Sequence, residues 1–442
     1  MTSAGAFGGF VHGLTLADIP QTVVDHALIT VRDSLGALLG GTNLPEIRKM
    51  QALAPVGPVT VIATGRRSTA EYAATVNGTA GVSLEMDEGH PLTINHPAAH
   101  ILPATLAVAE EIGASGAETL TAFIAGYEVA ARVGRATRLR DAVHPFCTHA
   151  ITGAGAAAAK LLGLSAQDIS VAILMAAGMT LASSQTAANA GAHVRNVVSG
   201  LTNANGILAA RLAGAGLTAE PDALEVVYGK ILGERFDASQ LTETLGREWL
   251  ILRNYFKVHA CSRWNHAPIE AACAATGGKT LAVDDIDHIV VWTYDPAIRL
   301  HWQSPANGFA AKHSIPYNVA VRVLHGTNGI EAYEDSTVHD PDVRALALRT
   351  TVKEDPAYTA QVPEVRPARV EIILKSGQRL TAACDRPPGG HDNPFAPDVL
   401  PAKFRALAGR VLDAGQIEAL DREINALPRA HSIENLIACL RT

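Results

Sequence analysis

The chain has 442 residues, a hydrophobic fraction of 48% and a formal net charge of −7. This length favours two domains over one or three, and the apolar fraction is that of a globular enzyme with enough side chains to form a core. No cluster of basic residues stands out, so the sequence argues against nucleic acid as a partner.

The sequence predicts a cytoplasmic protein that does not cross a membrane. The longest apolar run, near residues 171–182, is shorter than the ~18 residues that span a bilayer. The first residues lack the basic segment that precedes the apolar part of a secretory signal. The five cysteines are scattered, which is typical of reduced thiols and disfavours zinc and iron–sulfur sites.

The first half of the chain has the pattern of packed helices. Hydrophobic periodicity predicts helices over residues 20–39, 69–84, 101–112, 117–136, 149–162 and 166–177, with a short strand at 58–63. Gly163 is placed to end one helix, and Ser165, three residues before Asp168, is placed to begin the next. Alanine and glycine dominate this region, which predicts close approach of the helix axes.

The pattern changes after about residue 280. A strand is predicted over 286–294, a hairpin over 368–382 with its turn at Ser376 and Gly377, and a linker over 387–394. Helices return over 402–440. We therefore predict a mainly α protein, in which residues 1–265 and 400–442 form a large all-helical domain and residues 266–399 form a smaller α+β domain.

Residues 86–100 combine three histidines, two acids and two prolines in fifteen positions. Pro91 and Pro97 each remove a backbone donor and favour extended geometry in the preceding residue, so this segment is predicted to be a stiff loop. A titratable loop that leads into an apolar helix is a suitable place for a site. The alternative is a surface loop with solvated histidines.

Two motifs could indicate a cofactor, and neither is complete. His96 and His100 have a spacing that can chelate a metal on a helix, but no third ligand is evident. The glycines at 153 and 155 resemble a dinucleotide fingerprint, but the residues before them are poor strand formers. We therefore predict that the protein needs neither a metal nor another cofactor.

His144 precedes the alanine-rich helix and is predicted to lie at its N-terminus. The positive potential of a helix N-terminus lowers the pKa of a histidine and favours the neutral imidazole, which is suited to proton transfer. The alternative is that His144 begins the helix without a chemical role.

Arg195, Lys257 and Arg263 lie in apolar surroundings. A buried lysine can lose its proton near neutral pH and act as a base, whereas an arginine stays charged and binds carboxylates through paired hydrogen bonds. Surface salt bridges are the alternative, but the aromatic residues at 255, 256 and 264 favour a cleft.

In this order and spacing, several segments resemble the MmgE/PrpD family. Residues 84–90, LEMDEGH, are similar to the family's LDFDDTH. Three further matches are His96 followed by proline, His144 followed by proline and the alanine-rich helix up to Leu164, and residues 314–320, SIPYNVA. The resemblance extends over about residues 10 to 440.

The resemblance implies a large helical domain, a smaller α+β domain, a cleft between them, a homodimer and a small polycarboxylate substrate. His96, His144, Lys257 and Tyr317 fall on matching pocket positions, and Arg195 replaces a family lysine. On this basis the candidate catalytic residues are Lys257, Tyr317, His144 and His96. The candidate substrate-binding residues are Arg195, Glu85, Asp87, Arg263 and His90.

The shared chemistry of the family is loss of a proton or CO2 next to a carboxylate, which leaves negative charge to stabilise. Arginine holds charge but does not pass a proton, so Arg195 favours epimerisation of a polycarboxylate such as iminodisuccinate. The alternatives are a dehydratase of the 2-methylcitrate type, a decarboxylase of the cis-aconitate type, and a polycarboxylate-binding protein without catalysis.

Overall fold

A computed structural model describes residues 2–441. The first part of the chain is formed mainly by helices, many of them begun by side-chain caps such as Thr69, Ser115 and Ser165. These helices are α1 (Ser3–Gly13), α2 (Gln21–Gly41), α3 (Pro45–Ala52), α4 (Ala70–Ser83), α5 (Pro97–Ile112), α6 (Gly116–Ala136), α7 (Ala150–Leu161), α8 (Ala166–Gly178), α9 (Val194–Gly214), α10 (Ala223–Glu225) and α11 (Ser239–Thr242).

The remaining helices divide into two groups along the chain. The middle group is α12 (His266–Ala275), α13 (Gly308–Ala311), α14 (Ile315–His325), α15 (Asp335–Val338), α16 (Pro341–Leu348) and α17 (Pro356–Thr359). The last group is α18 (Val399–Ala408), α19 (Ala414–Ala426) and α20 (Glu434–Leu440).

The strands form one larger sheet and three small ones. The small sheets pair β1 (Val59–Val61) with β2 (Arg66–Ser68), β3 (Thr137–Leu139) with β6 (Gly233–Phe236), and β4 (Val143–His144) with β5 (Ser183–Ser184). The larger sheet has the order β10-β9-β7-β8 and contains β7 (Ile286–Thr293), β8 (Thr350–Glu354), β9 (Ala368–Leu374) and β10 (Arg379–Cys384). Only the β7–β8 pair of this sheet is parallel.

Glycines allow helices α6 and α7 to touch through their backbones. A Cβ atom added at Gly126 would lie 2.5 Å from the carbonyl oxygen of Gly153, and one added at Gly153 would lie 2.3 Å from that of Gly126. Any larger residue at either position would separate the helices. The predicted close packing is therefore confirmed, and Gly153 serves helix contact inside α7 rather than a phosphate loop.

Most buried apolar side chains belong to two clusters. The first joins helices α1–α9 to the C-terminal residues Phe404 to Leu440. The second contains strands β7 and β9 and helices α12, α14 and α16, and Leu84 and Met86 reach it from the first half of the chain. The mainly α prediction is confirmed, whereas the exact domain limits at 265 and 400 stay a prediction.

Most predicted elements are present, including the positive φ of Gly163, the cap from Ser165 to the amide of Asp168 and the hairpin of β9 and β10. Two predictions were wrong. Helix α5 begins at Pro97, which suits the first helical turn, so His100 is helical. His144 lies in strand β4 instead of at a helix start, because α7 begins only at Ala150. Across residues 2–441, no helix is long and apolar enough to span a bilayer.

Candidate active site

One cavity collects side chains from both halves of the chain. Its walls come from the loop before α5, strand β4 and the two residues after it, the segment 185–189, the start of α9, the segment 255–264 and three later positions, Leu300, His313 and Arg366. The charged, histidine and aromatic residues in its lining are Glu85, His96, His144, Phe146, Arg195, Tyr255, Arg263, Trp264, His313 and Arg366.

A buried network of two acids and two cations lies against one side of this cavity, and two of its members, Glu85 and Arg195, line it. Arg195 Nη1 donates to Glu85 Oε1 at 2.5 Å, and Lys257 Nζ donates to Glu85 Oε2 at 3.4 Å and to Asp87 Oδ1 at 3.1 Å. The guanidinium of Arg195 also lies 3.3 Å above the centre of the Phe146 ring. Glu85 therefore already balances part of the charge of Arg195.

This pairing fixes the charges of the network. Burial opposes ionisation of Glu85, but Arg195 and Lys257 hold its pKa well below the usual range. Burial also opposes ionisation of Asp87, but Lys257 and His96 lower its pKa to about 2. Burial disfavours the charged lysine, yet Asp87 and Glu85 raise the pKa of Lys257 above its usual range. The raised pKa favours a protonated Lys257 near neutral pH, so of its two predicted roles, base and electrostatic stabiliser, the contacts favour the second.

Two histidines of the cavity expose opposite hydrogen-bonding groups. The amide of Phe146 donates to His144 Nδ1 at 3.1 Å, so a neutral His144 carries its proton on Nε2. His313 Nδ1 lies 3.0 Å from the carbonyl oxygen of Phe309, which can only accept, so a neutral His313 has its lone pair on Nε2. The free nitrogen of His144 is a donor, and that of His313 is an acceptor.

Both rings are neutral near pH 7. Burial and the charge of Arg195 hold the pKa of His144 well below its usual range, and burial lowers the pKa of His313 to about 4. The predicted neutral state of His144 thus has a different origin from the helix potential that we expected. His96 is the third histidine in the cavity lining, and its Nδ1 atom lies 2.8 Å from Asp87 Oδ2.

Two arginines of the cavity have no acidic partner. Arg263 donates to the carbonyl oxygens of Pro387 and Pro388 at 2.7 and 2.8 Å, and its guanidinium lies 4.8 Å from the centre of the Tyr255 ring. Arg366 donates to the carbonyl oxygen of Pro91 at 2.5 Å. Among residues 2–441, neither arginine has a carboxylate oxygen within 4.0 Å. Their charges are therefore available to an anionic ligand.

Four predicted site residues lie outside the cavity lining. Asp87 and Lys257 are buried behind it, where they form an ion pair. His90 is fully buried with Nε2 3.0 Å from the carbonyl oxygen of Leu250, and burial lowers its pKa to about 3. Tyr317 is packed in the second core cluster, and its hydroxyl donates to the carbonyl oxygen of Ala332. The structure does not bring His90 or Tyr317 to the other candidates.

His313 and Arg366 are lining residues that the sequence did not indicate. His313 immediately precedes the family-like segment at 314–320, so its position was the only signal. Arg366 lies between a proline-rich stretch and strand β9 and has no local motif. Across the described residues, no group of three or more His, Cys, Asp or Glu side chains is placed to hold a metal ion.

Comparisons with known proteins find relatives over nearly the whole chain. The cis-aconitate decarboxylase-like protein oryM of Aspergillus oryzae is 25% identical over 98% of this chain and 95% of its own length. The cis-aconitate decarboxylase of Mus musculus is 26% identical over 94% of this chain and 88% of its own. The 2-methylcitrate dehydratase of Escherichia coli K12 is 28% identical, but over 53% of this chain and 51% of its own.

These relatives are decarboxylases and dehydratases, so they give no support to the predicted epimerase and isomerase activity. Their names agree with the two lyase alternatives instead. The model of the MmgE/PrpD N-terminal domain matches residues 5–233, and the model of the MmgE/PrpD C-terminal domain matches residues 259–426. The chain therefore belongs to the MmgE/PrpD family.

Proposed function

We propose that the protein is a lyase that removes CO2 from a small tricarboxylic acid of the cis-aconitate type. The observation that carries this proposal is the pair of arginines, Arg263 and Arg366, that face one cavity without an acidic partner. The relatives with matches over nearly the full chain support decarboxylation over the other reactions of the family.

In this proposal the three cavity arginines hold the three carboxylates. Arg263 and Arg366 bind the two carboxylates that the product retains, because their charges are not balanced by protein acids. The carboxylate that leaves becomes neutral CO2, so a strong cation beside it would oppose the reaction. It is best placed beside Arg195, whose charge Glu85 already balances.

Decarboxylation breaks one carbon–carbon bond, leaves its electron pair on the remaining carbon framework and takes up one proton as CO2 departs. The cations of the cavity stabilise the negative charge that develops on that framework. His144 is the proposed proton donor, because Nε2 is its available nitrogen and a bound trianion favours the imidazolium form. His96, held next to Asp87, is the second candidate.

Dehydration of a hydroxy-tricarboxylate is a second candidate reaction. It requires a base for a carbon-bound proton and an acid for the departing hydroxyl. The free Nε2 lone pair of His313 and the Nε2–H of His144 are such a complementary pair. The half-length match to 2-methylcitrate dehydratases is in agreement with this alternative.

A substrate panel separates the reactions. Purified protein is incubated with cis-aconitate and, separately, with 2-methylcitrate, while released CO2 and the absorbance of new double bonds are measured. CO2 from cis-aconitate supports the proposal, and a new double bond from 2-methylcitrate without CO2 would replace it with the dehydratase.

Two variants show whether the reaction occurs in this cavity. His144→Gln should lower kcat ~100-fold or more, the scale of a lost proton-transfer group. Tyr317→Phe is the matched control, because that hydroxyl binds a backbone carbonyl outside the cavity, and its kcat should stay within ~2-fold of the wild type. A normal kcat in His144→Gln together with a large loss of kcat in Tyr317→Phe would show that the reaction does not occur in this cavity.

A further inference from the structure

The backbone of Glu85 adopts an unfavourable conformation. Its φ is 55°, in the left-handed region that residues with a Cβ atom rarely occupy. This conformation is unfavourable for a residue that is not glycine, because its Cβ atom lies too close to the following carbonyl oxygen. It nevertheless directs the carboxylate to both Arg195 and Lys257. Some other interaction must therefore compensate the backbone strain.

Two buried lysines bind the carbonyl groups on either side of Glu85. Lys312 Nζ donates to the carbonyl oxygen of Leu84 at 3.0 Å, and Lys403 Nζ donates to that of Met86 at 2.6 Å. Lys312 is 6% exposed and Lys403 is 8% exposed. A charged donor on a buried carbonyl is worth more than a neutral one, so each contact restrains the backbone strongly.

Each lysine is also attached to a distant part of the chain. Lys312 Nζ donates to the carbonyl oxygen of Ala260 at 3.1 Å, three residues after Lys257. Lys403, on helix α18, donates to Asp33 Oδ1 at 2.6 Å, on helix α2. Neither lysine is part of the lining of the active-site cavity. Their contacts link the Glu85 segment to the surrounding helices.

We propose that Lys312 and Lys403 are positioning residues that together hold Glu85 in its left-handed conformation, so that its carboxylate stays between Arg195 and Lys257. Their effect on turnover rests on the lyase proposed above, whereas their effect on the position of Glu85 does not. The pair acts on the reaction only through Glu85.

Crystal structures of two variants test the positioning role without any substrate. Lys312→Met removes one donor, and Asp33→Asn combined with Lys403→Met removes the other without leaving an unpaired buried acid. In each, the Glu85 Oε1 to Arg195 Nη1 distance should increase from 2.5 Å to beyond 4.0 Å. If both variants keep the 2.5 Å contact, the proposal is wrong.

Kinetics with cis-aconitate give the second readout. Each variant should lower kcat ~10-fold or more while KM changes less than ~3-fold, because a displaced charge near the reacting carbon affects turnover more than binding. Lys160→Met is the matched control, since that lysine is also partly buried and donates to the carbonyl oxygens of Val11 and Leu14. An equal loss of kcat in the control would show a general effect of lysine removal and overturn the proposal.

If the wild type turns over no tricarboxylate, the lyase proposal fails, and the crystal structures alone decide the positioning role. If one variant does not fold, the other variant and its structure still decide it.

Discussion

Replacing Arg366 by glutamine tests substrate binding by an arginine that has few other contacts. Within residues 2–441, its one side-chain hydrogen bond goes to the carbonyl oxygen of Pro91, so the substitution should disturb the fold little. A charge-assisted hydrogen bond to a substrate carboxylate contributes about 1.5–3 kcal/mol. Its loss should therefore raise KM roughly 10- to 100-fold.

The value of kcat should change much less in this variant. Arg366 is assigned to a carboxylate that keeps its charge throughout the reaction, so it binds the substrate and the transition state alike, and kcat should stay within ~2-fold. Arg366→Lys keeps the charge but loses the planar pair of donors. Its KM should lie between that of the wild type and that of Arg366→Gln.

The assay is steady-state CO2 release, combined with calorimetric binding of citrate as a non-reacting tricarboxylate. Arg369→Gln is the matched control, because that guanidinium lies over the Trp292 ring at 3.9 Å and does not line the cavity. An unchanged KM and unchanged citrate affinity in Arg366→Gln would refute the assignment of a carboxylate to this arginine.

Lys257→Met should lower the free energy of unfolding by about 3–5 kcal/mol, because it leaves Glu85 and Asp87 buried without their shared cation. Lys375→Met, at an exposed site, is the control. Equal denaturant midpoints for the two variants would contradict the prediction. Burial raises the pKa of Glu88 from 4.5 to about 8, so its contribution to stability is complete below about pH 4.5 and is lost as the pH rises through 8. We therefore compare the free energy of unfolding of the wild type with that of Glu88→Gln. The difference should decrease as the pH rises from about 5 to about 9, by at most about 5 kcal/mol. A difference that does not change with pH would show that the pKa of Glu88 is not raised. Activity should survive treatment with a metal chelator, since the described residues offer no metal cluster; loss that is restored by one particular metal would show the opposite.

Local sequence signals were sufficient for most of the helices. Capping residues such as Ser165 and chain reversals such as Ser376 and Gly377 act within a few residues, so their effect can be predicted from the sequence. His144 shows the limit of this approach. A proline and an alanine-rich segment after it indicate a helix start, but pairing with β5 places it in a strand instead.

The candidate site could be predicted only in part, because its electrostatics depend on tertiary contacts. The aromatic neighbours of Lys257 suggested a lysine of low pKa, yet acids 170 residues away or more bind it and raise that pKa. The segment around Tyr317 was recognised correctly as part of the family pattern. Which of its side chains faces the cavity is decided by packing, and the structure places His313 there instead.

The segments that resemble the MmgE/PrpD family therefore indicated the family correctly, whereas the relatives give no support to the predicted epimerisation. Arg195 is a carboxylate partner, as predicted, but the carboxylate that it binds in the structure is that of Glu85. The prediction of an epimerase treated Arg195 as a partner of the substrate alone, without a carboxylate of the protein beside it. With Glu85 balancing its charge, Arg195 becomes a suitable neighbour for a carboxylate that leaves as CO2.

The most direct test of decarboxylation is a time course of carboxyl-labelled ¹³C cis-aconitate in D2O, followed by ¹³C and ²H NMR with the wild-type protein. The proposal predicts that one labelled CO2 appears for each substrate consumed, together with a five-carbon unsaturated dicarboxylate that carries one carbon-bound deuterium from solvent. Deuterium entering an intact six-carbon acid, with no labelled CO2 released, would contradict it.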